Sequence, residues 1–269
     1  MNVSNRVAVL TGAGGGIGRA TALALARRHC HLALADIDAA GLAETAALLA
    51  NLGVRITTHP LDVADREAVR ALPGRVHEAH KRVDLLINNA GVALGGSFEQ
   101  VSEEDFDWLM DINFNGVVRM TRAFLPLLRR SDEARIVNVS SIYGIVSPPG
   151  QAAYSASKFA VRGFSNALRH ELEGSTVAVS VVHPGGVATA IARNARVPAD
   201  TPEDEIAQGR AHAEKLLRLA PAAAGEIIAR GIEGRRSRIL VGTDAKVVSI
   251  LERLSPVNYW RILKKATAR

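Results

Sequence analysis

Short β-rich runs alternate with long helical patterns along almost the whole chain, and this alternation constrains the fold more than any other feature. "RVAVLTG" leads into "IGRATALALARRH", "LALAD" into "AAGLAETAALLANLG", and "RITTHPLDV" into "REAVRALPGRVHEAHK". "RVDLLINNAG" precedes a long helical pattern over 103–130, "RIVNVSS" precedes "YSASKFAVRGFSNALRHELE", and "VAVSVVHPGG" and "SRILVG" complete the series. Strands separated by helices of this length cannot be hairpins. They pair in parallel through crossovers, which cover both faces of the sheet. The expectation is an α/β fold: a doubly wound Rossmann-type sheet of about seven strands. No internal repeat or low-complexity linker interrupts it, so residues 1–269 are read as one domain. The polar stretch at about 190–220, with Pro198 and Pro202, is a candidate lid, and about 243–269 form a C-terminal tail.

A chain of 269 residues can bury a substantial core, and 48% hydrophobic with 22% charged residues is ordinary for a globular protein. The net charge of +6 would favour anionic partners. Its basic residues are dispersed, however, except in "RGIEGRRSR" and "RILKKATAR", and aromatics are only 4%. Without a groove-reading motif or stacking aromatics, nucleic-acid binding is not expected. Cys30 is the single cysteine, the N-terminus enters a strand almost at once, and no apolar run approaches the ~18 residues of a spanning helix. A cytoplasmic protein is expected.

"LTGAGGGIGRA" places Gly12, Gly16 and Gly18 between the first strand and the first helix. Glycines allow a tight turn and close approach to a pyrophosphate, and the helix N-terminus adds unpaired N–H groups and a positive dipole end. The second strand ends at Asp36, near the ~20-residue offset at which a carboxylate takes adenine-ribose hydroxyls. Asp36 would repel a 2′-phosphate by roughly 4 kcal/mol at 4 Å and an effective dielectric of 20. The expected cofactor is therefore NAD, with NADP disfavoured. Asp36 could also cap the helix beginning near Asp38, a role compatible with ribose binding.

Tyr154 and Lys158 stand four residues apart, with Ser140 and Ser141 upstream. Alone, the pair could be ordinary helical neighbours. Taken with T-G-x-x-x-G-x-G at Thr11–Gly18 and Asn88-Asn89-Ala90-Gly91 after the fourth strand, the chain resembles the short-chain dehydrogenase/reductase family. The resemblance is strong over about residues 6 to 190. It implies a catalytic set of Asn113, Ser141, Tyr154 and Lys158. Ser141, thirteen residues before Tyr154, fits the family spacing better than Ser140, and strand alternation puts the two side chains on opposite faces. It further implies cofactor contacts from Gly12, Gly14, Gly15, Gly16, Ile17, Gly18, Asp36, Asp62, Val63, Asn89, Ala90, Gly91, Tyr154, Lys158, Pro184, Gly185, Val187 and Thr189.

The chemistry explains the spacing. Hydride transfer at a carbonyl carbon needs proton transfer at its oxygen, and a phenol with pKa near 10 is a poor base near neutrality. A lysine ammonium one turn away and the positive nicotinamide ring favour phenolate. Lys158 would also hold the nicotinamide ribose, and Ser141 would stabilise the substrate oxygen. Asn113, as the resemblance implies, bends its helix and fixes a water leading to Lys158.

Other residues have plainer readings. "HEAH" at His77–His80 has i, i+3 spacing rather than the i, i+4 of a zinc motif, Cys30 reads as a packed apolar residue, and His183 adjoins Pro184 without a part in the family's catalysis. No metal is expected. Ile142, Tyr143, Val146, the turn at 91–94 and the lid would line an apolar pocket for a small-molecule substrate, with Arg193 or Arg196 the available carboxylate clamps. Apolar residues on several faces of the helices at 103–130 and 151–174, and the resemblance, imply a homodimer or homotetramer. The tail mixes Tyr259, Trp260, Ile262 and Leu263 with basic residues. It can pack on its own domain or a neighbouring subunit, or touch a membrane surface. Two function classes stay open, an oxidoreductase and an NAD(H)-sensing regulator without turnover; the intact Ser141–Tyr154–Lys158 set argues for the first.

Overall fold

The computed structural model of the chain describes residues 1–267. Seven strands, β1 (Val7–Thr11), β2 (His31–Asp36), β3 (Ile56–Pro60), β4 (Leu85–Asn88), β5 (Ala134–Val139), β6 (Val177–Pro184) and β7 (Arg238–Val241), form one parallel sheet in the order β3-β2-β1-β4-β5-β6-β7. The helices are α1 (Gly16–Ala26), α2 (Ala39–Leu49), α3 (Arg66–His80), α4 (Glu103–Met110), α5 (Gly116–Leu128), α6 (Ala152–Glu171), α7 (Glu203–Leu216), α8 (Pro221–Glu233), α9 (Thr243–Leu254) and α10 (Tyr259–Thr267). The doubly wound α/β architecture expected from the alternation is the one observed.

Two cores flank the sheet, and the period-2 geometry of its strands sorts residues between them. Ala8, Leu10, Leu32, Leu34, Leu85, Ile87 and Val137 pack on one side with Leu25 of α1 and Ile228 of α8. Val9, Ala33, Ala35, Leu86 and Ile136 face the other, against Val69 of α3, Phe124 of α5 and Leu168 of α6. Since the interior strands are covered on both faces, they read as near-continuous apolar runs, whereas edge strand β3, ITTHP, does not.

Helix starts follow local chemistry. Asp38, Asp65 and Ser102 cap α2, α3 and α4 through their side-chain oxygens, satisfying N–H groups that the first turn leaves free. The single long helix expected over 103–130 is broken: α4 ends at Met110, residues Asp111–Asn115 form a π-turn, and α5 resumes at Gly116. A π-turn inserts an extra residue per turn and rotates the downstream face. Here it drives Asn113 fully inward.

The lid region begins as an irregular segment that pairs with the turn after β4 through a Leu94–Arg196 bridge. Gly95 N–H donates to the Arg196 carbonyl at 2.9 Å and Arg196 N–H to the Ala93 carbonyl at 3.0 Å. The tail folds back on its own domain. Tyr259 and Leu263 pack against the cluster of Ile145, Val146 and Val248, and the Tyr259 hydroxyl accepts the Ser147 N–H at 3.0 Å. Among the described residues no helix is long and apolar enough to cross a membrane.

Candidate active site

The sheet order turns back between β2-β1 and β4-β5, which opens a crevice beyond the C-terminal ends of these strands. Thr11, the last residue of β1, builds its floor. Its Oγ1 accepts N–H groups of Asn89 and Ala90, each at 3.0 Å, while Asn89 Nδ2 donates to the carbonyls of Thr11 and Gly12 at 3.1 and 3.0 Å. The turn through Asn89, Ala90 and Gly91 is thereby stitched to the glycine loop. Gly12 has φ +66°, and a Cβ there would stand 2.7 Å from Asn89 Nδ2; at Gly18 a Cβ would collide with the Gly12 carbonyl. Gly15 faces open space, so the loop presents bare backbone just ahead of α1 and its free amides. An anionic pyrophosphate fits such a surface. Ile17 is half-buried against the first core.

Asp36 closes one end of the crevice. Its carboxylate accepts Gly14 N–H at 2.7 Å and Asp38 N–H at 3.0 Å, one to each oxygen, leaving lone pairs for further donors. Capping of α2 falls to Asp38, which accepts Gly41 N–H at 3.0 Å. Arg19, the nearby cation, is engaged by Glu44, Thr45 and the carbonyls of Gly14 and Gly41. Asp62 holds the turn after β3 by accepting Ala64 N–H at 2.8 Å, and Val63 packs on Gly116. On the opposite wall Pro184 ends β6. Gly186 N–H donates to Asp244 at 2.7 Å, and a Cβ at Gly185 would collide with the same carboxylate. Val187 is buried, and Thr189 stands across from Gly16, 3.2 Å from where its Cβ would be.

Over the crevice, α6 carries Tyr154, Ser157 and Lys158 on one face. Lys158 is 4% exposed and places Nζ 5.6 Å from the centroid of the Tyr154 ring, while Nζ also approaches the Val139 carbonyl at 3.4 Å. A side chain at Gly91 would press on this ammonium and on Asn113 Oδ1. Asn113 accepts Val92 N–H at 2.8 Å and donates to the Val92 carbonyl at 3.0 Å and to Ser157 Oγ at 3.2 Å. Ser157 in turn donates to the Tyr154 carbonyl at 2.7 Å. The two serines after β5 diverge as alternation requires. Ser140 Oγ donates to the Lys158 carbonyl at 2.8 Å; Ser141 Oγ accepts Tyr143 N–H at 3.1 Å and lies against the Tyr154 phenol.

Burial governs the electrostatics. It pushes the Tyr154 phenol up to about 12, against the opposing pull of the Ser141 hydroxyl, and pushes Lys158 down to about 8. Sequence reasoning expected the lysine charge to lower the phenol. In the protein alone desolvation is the larger effect, because both side chains are enclosed between α6 and the segments that follow β4 and β5.

Tyr143 meets Tyr154 edge to face, with ring centroids 6.0 Å apart. Val92, Leu94, Phe106, Trp108, Leu109 and Ala153 cluster with Tyr154 on its other side. Ile142 is partly buried and Val146 fully buried in the cluster that shelters Tyr259. Sequence reasoning missed the supporting roles of Ser157, Ser140 and Asp244. Ser157 had a signal, lying three residues from Tyr154 on one helical face; Asp244, 58 residues from Gly186, had none. His80 of the histidine pair bonds Thr57 Oγ1 at 2.9 Å within its own layer.

Comparison with known proteins agrees with this geometry. The profile of the short chain dehydrogenase family matches residues 6–199. SadH of Mycobacterium tuberculosis is 42% identical over 266 residues, covering 98% of this chain and 96% of SadH. A short chain dehydrogenase/reductase from Burkholderia phymatum, solved in complex with NAD, superposes with a TM-score of 0.87 at 32% identity and 94% coverage of both chains. An alcohol dehydrogenase from the archaeon Thermococcus sibiricus, complexed with 5-hydroxy-NADP, gives a TM-score of 0.75 at 27% identity, covering 88% of this chain and 95% of that one. On a profile match over most of its length and a relative 42% identical across nearly all of it, the chain belongs to the short-chain dehydrogenase/reductase family.

Proposed function

We propose that this protein is an NAD-dependent oxidoreductase that interconverts a hydrophobic secondary alcohol and its ketone, with Tyr154 as the acid/base. The observation that carries this reading is the convergence at α6, where the Tyr154 phenol meets the Ser141 hydroxyl and the Lys158 ammonium stands 5.6 Å from the ring centroid.

A nicotinamide cofactor is supported by the bare loop at Gly15, with Gly12, Gly14, Gly16, Gly18 and Thr189 around it. Asp36 favours NAD, since its carboxylate can accept ribose hydroxyls and repels a 2′-phosphate, while Arg19 is already engaged. Asp62 and Val63 would border the adenine, and Asn89, Ala90, Gly91, Pro184, Gly185 and Val187 the nicotinamide half. Bound there, NAD supplies the hydride acceptor and, when oxidised, a positive ring. Tyr154 takes the alcohol proton as phenolate, or returns it in the reverse direction. Ser141 donates to the reacting oxygen: its Oγ already accepts from Tyr143, so its hydrogen serves the oxygens on the other side, the Tyr154 phenol and the substrate. Lys158 keeps positive charge beneath the phenol. Asn113 ties the substrate-side turn at Val92 to α6 and so holds the spacing.

The apolar neighbours of Tyr154, with Tyr143 and Ile142 and with Val146 behind them, support a hydrophobic substrate. Arg196 is committed elsewhere, pairing with Asp105 at 2.9 Å and stacking 3.5 Å above the Trp108 ring, and Arg193 pairs with Glu214. A substrate carboxylate is therefore not favoured. Buried, unpaired Cys30 accords with a reducing cytoplasm. The exposed Phe159 on α6 supports a homodimer or homotetramer through this helix.

The test is a panel of secondary alcohols of increasing chain length with NAD⁺ or NADP⁺, followed at 340 nm. Turnover with NAD⁺, improving with chain length, is expected. Tight NADH binding with no turnover on any alcohol or ketone would favour the sensing role instead.

A further inference from the structure

We propose that His183 is a positioning residue for catalysis, anchoring the Ser141 carbonyl so that the Ser141 hydroxyl faces the reacting oxygen. This inference rests on the proposed role of Ser141.

The backbone ladder between β5 and β6 ends where Ser140 N–H donates to the Val182 carbonyl at 2.8 Å. One residue later the chain leaves the sheet for the 3₁₀ turn at Ile142–Gly144, and the next rung is made by a side chain. The His183 ring brings Nδ1 within 2.9 Å of the Ser141 carbonyl, which also accepts Gly144 N–H at 3.0 Å. A carbonyl only accepts, so Nδ1 must carry the hydrogen and Nε2 the lone pair. Rotation of Ser141 about its Cα–C bond would break both contacts. With its Oγ held by Tyr143 N–H at the same time, Ser141 is pinned at both ends.

Packing alone does not account for this residue. His183 is completely buried, and its Nε2 has no partner among the described residues. An apolar side chain would fill the site without stranding a polar nitrogen, so the ring costs stability unless its other nitrogen is useful. Burial pushes its pKa down to about 4, which keeps the ring neutral and the same tautomer in place across the working pH range.

The experiment compares His183→Asn, His183→Gln and His183→Leu in the oxidation of 2-octanol by NAD⁺. An Asn amide can reach the Nδ1 position, whereas the longer Gln reaches toward Nε2. His183→Leu and His183→Gln should lower kcat about 10- to 100-fold through misplacement of Ser141, and His183→Asn should recover most of it. NADH affinity, read by fluorescence, should stay the same in all three. In a Ser141→Ala background His183→Leu should cost nothing further, as expected of residues acting through one another. Additive losses in that cycle, NADH affinity falling in step with kcat, or equal losses for Asn and Gln would overturn the proposal. Nitrogen-15 shifts of the His183 ring give a readout independent of turnover: an Nε2–H tautomer would also overturn it. The Ser141→Ala variant in the same assay separates failure of this proposal from failure of the underlying one, since only the latter leaves that variant as active as the parent.

Discussion

Lys158, buried from solvent, holds its ammonium 5.6 Å from the centre of the partly buried Tyr154 ring, and burial drives their pKa values apart, the lysine down to about 8 and the phenol up to about 12. Near neutral pH the lysine stays mostly charged and the phenol stays protonated. Phenolate therefore depends on positive charge supplied beside it.

Removing the phenol hydroxyl should abolish proton transfer and little else. Tyr154→Phe keeps the ring against Tyr143 and the cluster around Leu94, so folding and NADH binding persist. The rate should fall about 10²- to 10⁴-fold. Turnover within a fewfold of the parent would remove Tyr154 as the acid/base.

The pH dependence of alcohol oxidation should report the pair. Oxidation needs phenolate, so kcat/KM rises with pH, and the positive charge of Lys158 lowers the pH at which it does so. Lys158→Met removes that charge, and the rising limb should move to higher pH. A limb that stays in place or moves down would show that Lys158 does not govern the phenol.

Asp36→Ala should relax the preference for NAD over NADP. The substitution removes a ribose acceptor, the carboxylate that would repel a 2′-phosphate, and the Gly14 and Asp38 N–H contacts that hold the loop. KM for NAD should rise and that for NADP should fall. If the parent already prefers NADP, the cofactor assignment is wrong.

Stability should decline in mild acid because of buried histidines. Burial pushes His80 down to about 4 and His183 likewise, and His59 is also lowered. Between pH 6.5 and 4 the unfolded chain binds protons that the folded protein refuses, so stability is full near neutrality and falls as pH drops through this window. The slope is on the order of 1.4 kcal/mol per pH unit for each such histidine. Thr57 Oγ1 links His59 and His80 at 2.8 and 2.9 Å, so His80→Gln should flatten part of the decline. Urea midpoints that do not change from pH 7 to 5 would refute this.

Deleting residues after Pro256 should lower the melting temperature. It strips Tyr259 and Leu263 from Ile145 and Val146, next to the turn that carries Ile142 and Tyr143. Thermal melts with light scattering would show the loss and any change in oligomer. Unchanged stability together with loss of binding to anionic liposomes would assign the tail to a membrane surface.

What sequence determined by itself was local and periodic. Alternating Ala8, Val9 and Leu10 declare a strand buried on both faces, and each helix pattern between such runs forces a parallel crossover. The glycine loop is equally legible, since Gly12 and Gly18 are demanded by contacts made within a few residues and to the next strand. Tyr154 and Lys158 sit one helical turn apart, so their meeting needs only α6. Tertiary structure decided everything that depends on which segments the crossovers bring together. The π-turn that turns Asn113 inward onto Val92 and Ser157, the Asp244 carboxylate beneath Gly186, and the His183 ring on the Ser141 carbonyl join residues whose separation in sequence carries no periodic signal. So does Asp84, fully buried between Arg6, Arg82, Ser131 and the Val7 amide at the other end of the sheet. Periodicity encodes which side of an element is dry, whereas a hydrogen bond or a desolvated charge requires two specific atoms within about 3 Å, and only the packed chain sets that distance.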